Sequence, residues 1–185
     1  MPTASPPAAD WPAGEPILTV GHSNRSAEEF VELLRAHDVR ALVDVRTLPG
    51  SRRNPQFAAA ALAATLASAG IAYRHEPGLG GLRRPRPDST NTAWQNASFR
   101  GYADYMETDA FAERLALLVA TATAGTVLMC AEAVPWRCHR SLLADALFAR
   151  GVPVLHILSA THAEPHRLTS FARVENGRVS YPGVV

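Results

Sequence analysis

The sequence contains no lysine, so all 18 of its basic residues are arginine. Together with 17 acidic residues they leave a formal net charge of +1, and this balance by itself points to no class of partner. The many alanine, proline and glycine residues that accompany the arginines are typical of a GC-rich coding bias. Even so, the planar guanidinium fork makes any local cluster of arginines well suited to bind phosphate or carboxylate groups.

Cysteine and long apolar runs are also scarce. The chain has two cysteines, which are too few for a disulfide framework, so a reducing cytoplasm is the expected location. No apolar run approaches the roughly 18 residues of a membrane span. The first residues lack a basic stretch followed by an apolar segment, so we expect no signal peptide and no membrane partner.

Alternating strand and helix patterns predict the fold class. Short apolar runs predict strands at 17–20, 41–45, 71–73, 126–129 and 154–158. Segments with helical spacing lie between them, which favours an α/β fold: a single three-layer domain with a mostly parallel sheet and helices on both faces. We expect residues 1–15 to be a disordered tail and 16–185 to form the domain.

Several local signals define the elements further. Ser26 and Glu29 form a capping box, and Asn54 followed by Pro55 predicts a helix that continues to about Ser68. Residues 76–99 form a long irregular insert, which is typical of functional or mobile loops. Helices are predicted at 102–106, 111–122 and 141–148. Asn176-Gly177 indicates a terminal hairpin.

Polar side chains follow the predicted strands at their carboxyl ends. These residues are His22, Ser23, Asp44, Arg46, Cys130 and Glu132. In a parallel sheet the carboxyl ends of the strands lie along one edge, where α/β proteins bind ligands. The sequence therefore predicts one polar crevice, lined by His22, Ser23, Asp44, Arg46, Ser51, Arg52, Cys130, Glu132, Arg137, Cys138, His139 and Arg140.

Cys138 precedes a predicted helix and lies between Arg137 and Arg140 in sequence. A helix N-terminus and neighbouring cations both lower the pKa of a thiol, which favours a reactive thiolate. Cys130 would be the resolving partner or the nucleophile itself. The alternative is that both cysteines are small buried apolar residues.

Two other site types remain open. Cys130 followed by Arg137 loosely resembles the cysteine-loop-arginine cradle of thiol phosphatases, but the loop is one residue longer and carries Glu132 and Pro135 in place of glycines. A metal site could use Cys130, Cys138, His139 and His22, with Glu132 as a further ligand. Because paired Cys-x2-Cys spacing is missing, we assign no metal, and the cofactor stays unknown.

Arginines and aromatic residues are interleaved in the loops predicted for this edge of the sheet. That combination is typical of sites that hold phosphates and stack bases. We therefore expect an anionic small molecule or nucleic acid as partner. The residues predicted to bind the anion are Arg46, Ser51, Arg52, Arg137 and Arg140, with Ser23, Asp44 and His139 in support.

Six motifs resemble one protein family. They are Gly21-His22-Ser23, Asp44-Val45-Arg46, Pro49-x-Ser51-Arg52 with Asn54-Pro55-x-Phe57, Leu79-Gly80-Gly81, Tyr102-Ala103-Asp104-Tyr105-Met106, and Met129-Cys130-Ala131-Glu132 through Cys138-His139-Arg140. From about Ile17 to Ile157 the chain is similar to domain-of-unknown-function family 488. The resemblance implies a compact α/β domain of bacteria and archaea, and it implies no particular reaction.

The functional hypothesis is an enzyme that acts on a phosphate-bearing substrate, either a nucleotide or nucleic acid. Cys130 or Cys138 would be the nucleophile or redox thiol, and Glu132 or His22 the acid or base. The alternative is a non-catalytic module that binds nucleic acid or a phosphorylated ligand. Binding alone requires no thiol and no buried carboxylate, and this distinguishes the two.

Overall fold

The computed structural model describes residues 15–183 and contains a six-stranded sheet with the order β3-β2-β4-β1-β5-β6. The expected tail, apart from Glu15, lies outside the described residues. All neighbouring strands are parallel except β5 and β6. The strands are β1 (Ile17–Gly21), β2 (Ala41–Asp44), β3 (Ala72–His75), β4 (Thr126–Cys130), β5 (Val154–Ser159) and β6 (His162–Pro165).

Five helices cover the two faces of this sheet. They are α1 (Ala27–Ala36), α2 (Ala59–Ser68), α3 (Ala97–Met106), α4 (Asp109–Thr121) and α5 (Arg140–Phe148). One core contains side chains of α1 and α2, and the other contains side chains of α3, α4 and α5. The protein is therefore a three-layer α/β domain, as the sequence predicts. No helix within residues 15–183 has the length and apolar character needed to span a membrane.

The two cores follow from the period-two geometry of the strands. In β4, Val127 and Met129 belong to the core under α1 and α2, whereas Leu128 and Cys130 belong to the core under α3 to α5. Successive side chains of a strand point to opposite faces, so a continuous apolar run fills both layers. The thiol of Cys130 consequently lies on the same side of the sheet as α5.

Several predicted boundaries are corrected by the structure. The helix predicted from Pro55 is interrupted, because Pro55–Phe57 form a 3₁₀ turn, Ala58 is extended and α2 begins at Ala59. The third strand begins one residue later than predicted and continues to His75, and the helix expected at 102–106 begins at Ala97. β6 has no apolar pattern and the sequence analysis missed it. The terminal hairpin is confirmed, with β7 (Arg173–Glu175) paired to β8 (Arg178–Ser180).

The long insert is fastened to α3 through Asp104. This buried carboxylate accepts hydrogen bonds from the backbone N–H of Arg86, the hydroxyl of Ser89 and the amide of Asn91. The same bonds lower the pKa of Asp104, against the opposing effect of its burial. The insert therefore has its own polar anchor and is packed against the domain.

The strand order creates a topological switch between β1 and β4. These neighbours are parallel, with Gly21 beside Cys130. The chain leaves β1 toward α1 on one face and leaves β4 toward α5 on the other. Ligands of open α/β sheets bind at such points.

Candidate functional site

The end of β1 is packed against the loop that follows β4. The backbone N–H groups of His22 and Ser23 donate to the carbonyl oxygens of Cys130 and Ala131, at 3.0 and 2.9 Å. A Cβ atom on Gly21 would overlap the carbonyl oxygen of Glu132. Glycine is therefore required here because two backbones meet without room for a side chain.

His22 is buried and neutral. Its Nδ1 donates to the carbonyl oxygen of Ser23 at 2.7 Å, which leaves Nε2 as an acceptor for the guanidinium of Arg46 at 3.3 Å. The imidazole stacks on Phe57 with ring centroids 4.2 Å apart. Burial lowers the pKa of His22 to about 4, and the charge of Arg46 acts in the same direction.

Asp44 and Arg46 form a buried two-pronged ion pair. Arg46 Nε donates to Oδ1 of Asp44 at 2.8 Å, and Nη2 donates to Oδ2 at 2.6 Å. Nη2 also donates to the carbonyl oxygen of Phe57, and Tyr73 donates its hydroxyl to Asp44 Oδ2 at 2.9 Å. Burial and the carboxylate of Asp44 raise the pKa of Tyr73. With His22 included, four of the five N–H groups of Arg46 are used, so little of it remains for a ligand.

The two cysteines face each other across the β4–α5 loop. Their Sγ atoms lie 2.8 Å apart, and both cysteines are free. Cys138 follows a 3₁₀ turn, Pro135–Arg137, and precedes α5 by two residues, so it lies just before the start of the helix, as the sequence predicts. The exposed fraction is 2% for Cys130 and 8% for Cys138. Cys138 is thus the thiol nearer to solvent.

Arg140 is a buried cation without a carboxylate partner among residues 15–183. Its exposed fraction is 1%, and Nη2 donates to the carbonyl oxygens of Glu132 and Ala133. Nε and Nη1 are buried and have no hydrogen-bond acceptor in the described part of the chain. Its backbone N–H points at Sγ of Cys138, 3.4 Å away. A buried guanidinium requires a counter-charge, and a thiolate is the nearest candidate.

The environment separates the two thiols. The hydrogen bond from Cys130 lowers the pKa of Cys138 to about 7, and the charge and backbone N–H of Arg140 act in the same direction. Burial raises the pKa of Cys130 well above its ordinary value. Cys138 is therefore the thiol that ionises more readily, with Cys130 as its hydrogen-bond donor.

His139 connects the thiol loop to β2. Its Nε2 donates to the carbonyl oxygen of Val45 at 3.1 Å, and its ring lies against Tyr102 with centroids 5.0 Å apart. A side chain on Gly81 would press on Nδ1 of His139. Burial lowers the pKa of His139 to about 4, so the ring is a neutral spacer that fixes the loop.

The remaining predicted site residues lie at the surface of this edge. Glu132, Arg52 and Arg137 are exposed, and their side chains make no hydrogen bond or ion pair within residues 15–183. Ser51 accepts from the backbone N–H groups of Arg53 and Asn54 and so shapes its own turn. Ser23 has a positive φ of 53° and turns the chain away from β1. Glu132, Arg52 and Arg137 are therefore exposed charged groups of the loops after β2 and β4, whereas the thiols are buried.

Two residues that contact Asp44 and His22 were not predicted from the sequence. Tyr73 completes the acceptor capacity of Asp44, and Phe57 supplies the surface on which His22 stacks. Tyr73 occupies an alternating position in a predicted strand, and Phe57 is part of a motif that the family resemblance uses. Neither signal indicates which polar residue the side chain contacts.

A second polar cluster, also missed, lies beyond α5. Thr19 Oγ1 is 2.6 Å from Nδ1 of His156, His156 Nε2 is 2.9 Å from Nδ1 of His166, and His166 Nε2 is 2.8 Å from Oδ1 of Asp145. Tyr181 donates its hydroxyl to the same carboxylate. An aspartate inside an otherwise apolar helix is the sequence signal that marks this cluster.

A cavity of about 700 Å³ adjoins this cluster. Its walls include Trp94, Pro135, Trp136, Ser141, His166 and Arg167. Pro135 and Trp136 belong to the thiol loop, and the hydroxyl of Ser141 donates to the carbonyl oxygen of Cys138 at 3.2 Å. The cavity and the thiols therefore share a wall, although none of the predicted site residues lines the cavity.

The possible metal ligands named from the sequence are Cys130, Cys138, His139, His22 and Glu132. Within residues 15–183, no group of three or more His, Cys, Asp and Glu side chains is arranged to hold a metal ion. Of the possible ligands named from the sequence, Cys130 and Cys138 are in contact with each other. His22 and His139 are each hydrogen-bonded to a backbone carbonyl oxygen.

Comparisons with known proteins agree with the motifs. No curated protein and no solved structure matches the chain. One family model, described as domain of unknown function DUF488, matches residues 26–147, which is more than half of the chain. The match is shorter than the resemblance suggested, since it begins after Gly21-His22-Ser23 and ends before Ile157. The protein belongs to this family, the domain of unknown function DUF488.

Proposed function

We propose that the protein is an enzyme that acts on a phosphate-bearing substrate, of the nucleotide class, with the thiolate of Cys138 as its nucleophile. The observation that carries the proposal is the pairing of the two thiols beside Arg140, a buried cation with two unused donor atoms. A structural cysteine pair needs no such cation. A thiolate does, because its charge must be balanced in a buried environment.

The local backbone favours Cys138 over Cys130 as the nucleophile. Cys138 precedes a nine-residue helix by two residues and accepts from the N–H of Arg140. Partial positive charge at a helix start stabilises an anion there. Cys130 ends a buried strand, and its raised pKa keeps it protonated. It serves as the donor that stabilises the thiolate.

The anion of the substrate meets different arginines from those inside the core. Arg46 is saturated by Asp44, Phe57 and His22, and Arg140 is sealed from solvent. Arg52 and Arg137 are exposed, and their guanidinium groups have no partner within residues 15–183. A guanidinium binds phosphate through two parallel hydrogen bonds, so these two residues are the better clamp.

Acid–base work falls to Glu132 rather than His22. Both ring nitrogens of His22 are engaged, and its low pKa keeps it neutral near pH 7. Glu132 follows Cys130 by two residues, and its carboxylate is exposed and free within the described chain. In the proposed step the thiolate of Cys138 attacks the phosphorus atom, and the P–O bond to the leaving group breaks; the leaving oxygen keeps the electron pair and takes a proton from the carboxyl group of Glu132. Water, which gives a proton to the carboxylate of Glu132, then attacks the phosphorus atom, breaks the S–P bond, releases phosphate and restores the thiolate.

The experiment is a turnover assay on purified protein with a panel of nucleotides and 4-nitrophenyl phosphate, followed by phosphorus NMR. We expect a new phosphorus signal with the unaltered protein and none with Cys138→Ser. Cys130→Ala should retain slow turnover, since it loses a stabilising donor and keeps the nucleophile. Arg137→Ala should weaken substrate binding with a smaller effect on the maximal rate.

The matched control is Arg173→Ala. It removes an exposed arginine on β7, which is distant in sequence from the thiol loop. It should leave turnover unchanged. Equal turnover of the unaltered protein and Cys138→Ser would contradict the proposal. Binding of the panel without turnover would favour the non-catalytic module.

A further inference from the structure

We infer that the cavity of about 700 Å³ beside the thiol loop binds a mononucleotide, with its base between aromatic walls and its phosphate on Arg167. This inference rests on the proposed function, because it names the substrate of that enzyme, and it adds Arg167 to Arg52 and Arg137 as a contact of the substrate's phosphate. It also assigns a role to residues outside the six motifs on which the family resemblance depends.

The aromatic walls differ in how firmly they are held. Trp94 is fixed by edge-on contacts with Phe99, Phe171 and Tyr181, with centroid distances of 5.0, 4.9 and 5.5 Å. Trp136 is 61% exposed and makes no ring contact with another aromatic side chain in the described residues. An indole left open at the rim of a cavity is a stacking surface, and every nucleobase offers a flat face to it.

Arg167 is the arginine that lines the cavity. Arg167 is exposed, and its side chain has no hydrogen-bond or ion-pair partner within residues 15–183. Glu164, which also lines the cavity, is 2.9 Å from Nε2 of His162. His156 and His166 have both ring nitrogens occupied by the buried chain that ends on Asp145. Arg167 is therefore the unsatisfied charge, and a phosphate matches its planar fork.

The size and the hydroxyl groups suit a small molecule. Sites for small molecules typically measure about 300–1,000 Å³, and this cavity lies within that range. Ser141 lines the wall and donates to the carbonyl oxygen of Cys138, so its oxygen lone pairs remain free to accept from a ligand. Thr169 adds a second hydroxyl to the wall. A base, a sugar and one phosphate each find a matching group.

The cavity lies next to the loop that carries Cys138. Trp136 precedes Cys138 by two residues, and Ser141 follows it by three. The loop that presents the thiolate therefore also forms one wall of the cavity. A nucleotide held there lies beside the loop that carries the reactive sulfur.

The test is a tryptophan-fluorescence titration of the full chain with AMP, adenosine and ribose 5-phosphate. We expect AMP to bind and to change the indole emission. Trp136→Ala should weaken AMP and adenosine by about tenfold or more, because base stacking is lost. Arg167→Ala should weaken AMP by about tenfold and leave adenosine unchanged, because only the phosphate contact is lost.

Separate outcomes identify which idea fails. If Cys138→Ser binds AMP normally and the unaltered protein shows no turnover, the cavity assignment stands and the enzymatic proposal falls. The cavity assignment is overturned if ribose 5-phosphate binds as well as AMP, or if neither substitution changes binding. It is also overturned if a single-stranded oligonucleotide binds more tightly than AMP, since the surface would then recognise a polymer.

Discussion

Arg46 is bound to Asp44 through two parallel hydrogen bonds of 2.8 and 2.6 Å at the carboxyl end of β2. The pair is almost fully buried, with exposed fractions of 8% for Arg46 and 0% for Asp44. The sequence predicts that Arg46 binds a ligand. Its contacts give it a structural role, because it joins Asp44, His22 and Phe57 at this edge of the sheet.

Arg46→Ala should therefore destabilise the fold. Removing one partner of a buried ion pair leaves the other charge unpaired and costs about 3–5 kcal/mol. Denaturant unfolding followed by circular dichroism measures the change. The control is Arg52→Ala, which removes an exposed arginine from the next loop and should alter the free energy of unfolding by less than about 0.5 kcal/mol. Similar stability of Arg46→Ala and the unaltered protein would show that the pair is not structural.

Gly21→Ala should also destabilise the protein. The added Cβ would overlap the carbonyl oxygen of Glu132, so the loop after β4 has to move, at a free-energy cost of about 1–3 kcal/mol. Gly50→Ala is the matched control, since no heavy atom lies within 4 Å of its Cβ position. Thermal melts of both variants measure the difference in their melting temperatures. The close approach of β1 and the loop would be refuted if Gly21→Ala melted no lower than Gly50→Ala.

Acid should weaken the fold through His156. Burial lowers its pKa to about 3, with help from the charges of His166 and Arg140, whereas an unfolded histidine titrates near 6.5. Between these values the unfolded chain binds more protons, so stability falls as pH falls, by up to about 1.4 kcal/mol per pH unit. Above about pH 6.5 the effect vanishes.

The measurement is the free energy of unfolding as a function of pH for the unaltered protein, His156→Gln and His162→Gln. His156→Gln should lower stability at pH 8 and flatten the slope between pH 6.5 and 4. His162→Gln removes an exposed imidazole and should preserve the slope. An unchanged slope in His156→Gln would contradict the buried neutral state.

The parts of the fold that could be predicted are the elements with a local pattern of apolar residues in the sequence. The apolar runs of β1, β2 and β4 located the strands, and the geometry of parallel sheets then brought His22, Asp44 and Cys130 to one edge. The helical spacing of the residues after Cys138 likewise placed this cysteine near the start of a helix. These inferences required no knowledge of which side chains touch.

Partner choice was the part that sequence could not supply. Arg46 and Arg140 look alike in sequence, yet one is saturated by Asp44 and the other is buried without a carboxylate. The difference depends on contacts between residues far apart in the chain. β6 was missed for a related reason, because its residues include His162 and Pro165 and it adds to the sheet by pairing with β5.

Arg140→Met should raise the pKa of Cys138. The substitution removes a buried charge and keeps an unbranched side chain of similar length, so the thiolate loses its nearest cation. The pH midpoint for alkylation should move from about 7 toward the roughly 8.5 of a free cysteine. Arg137→Met is the control, because Arg137 is exposed and is not among the groups that lower the pKa of Cys138. An equal midpoint in both variants would remove Arg140 from the account.

The central claim is that Cys138 is a thiolate near neutral pH while Cys130 is not. Its most direct test is a time course of iodoacetamide alkylation of the folded protein at pH 6.5 and 7.5, with peptide mapping and with Cys130→Ala and Cys138→Ser as controls. We predict rapid labelling of Cys138 alone, faster at the higher pH, and slower labelling of Cys138 in Cys130→Ala because a stabilising donor is lost. Labelling of both cysteines only after unfolding would contradict the account and make the pair an inert part of the core.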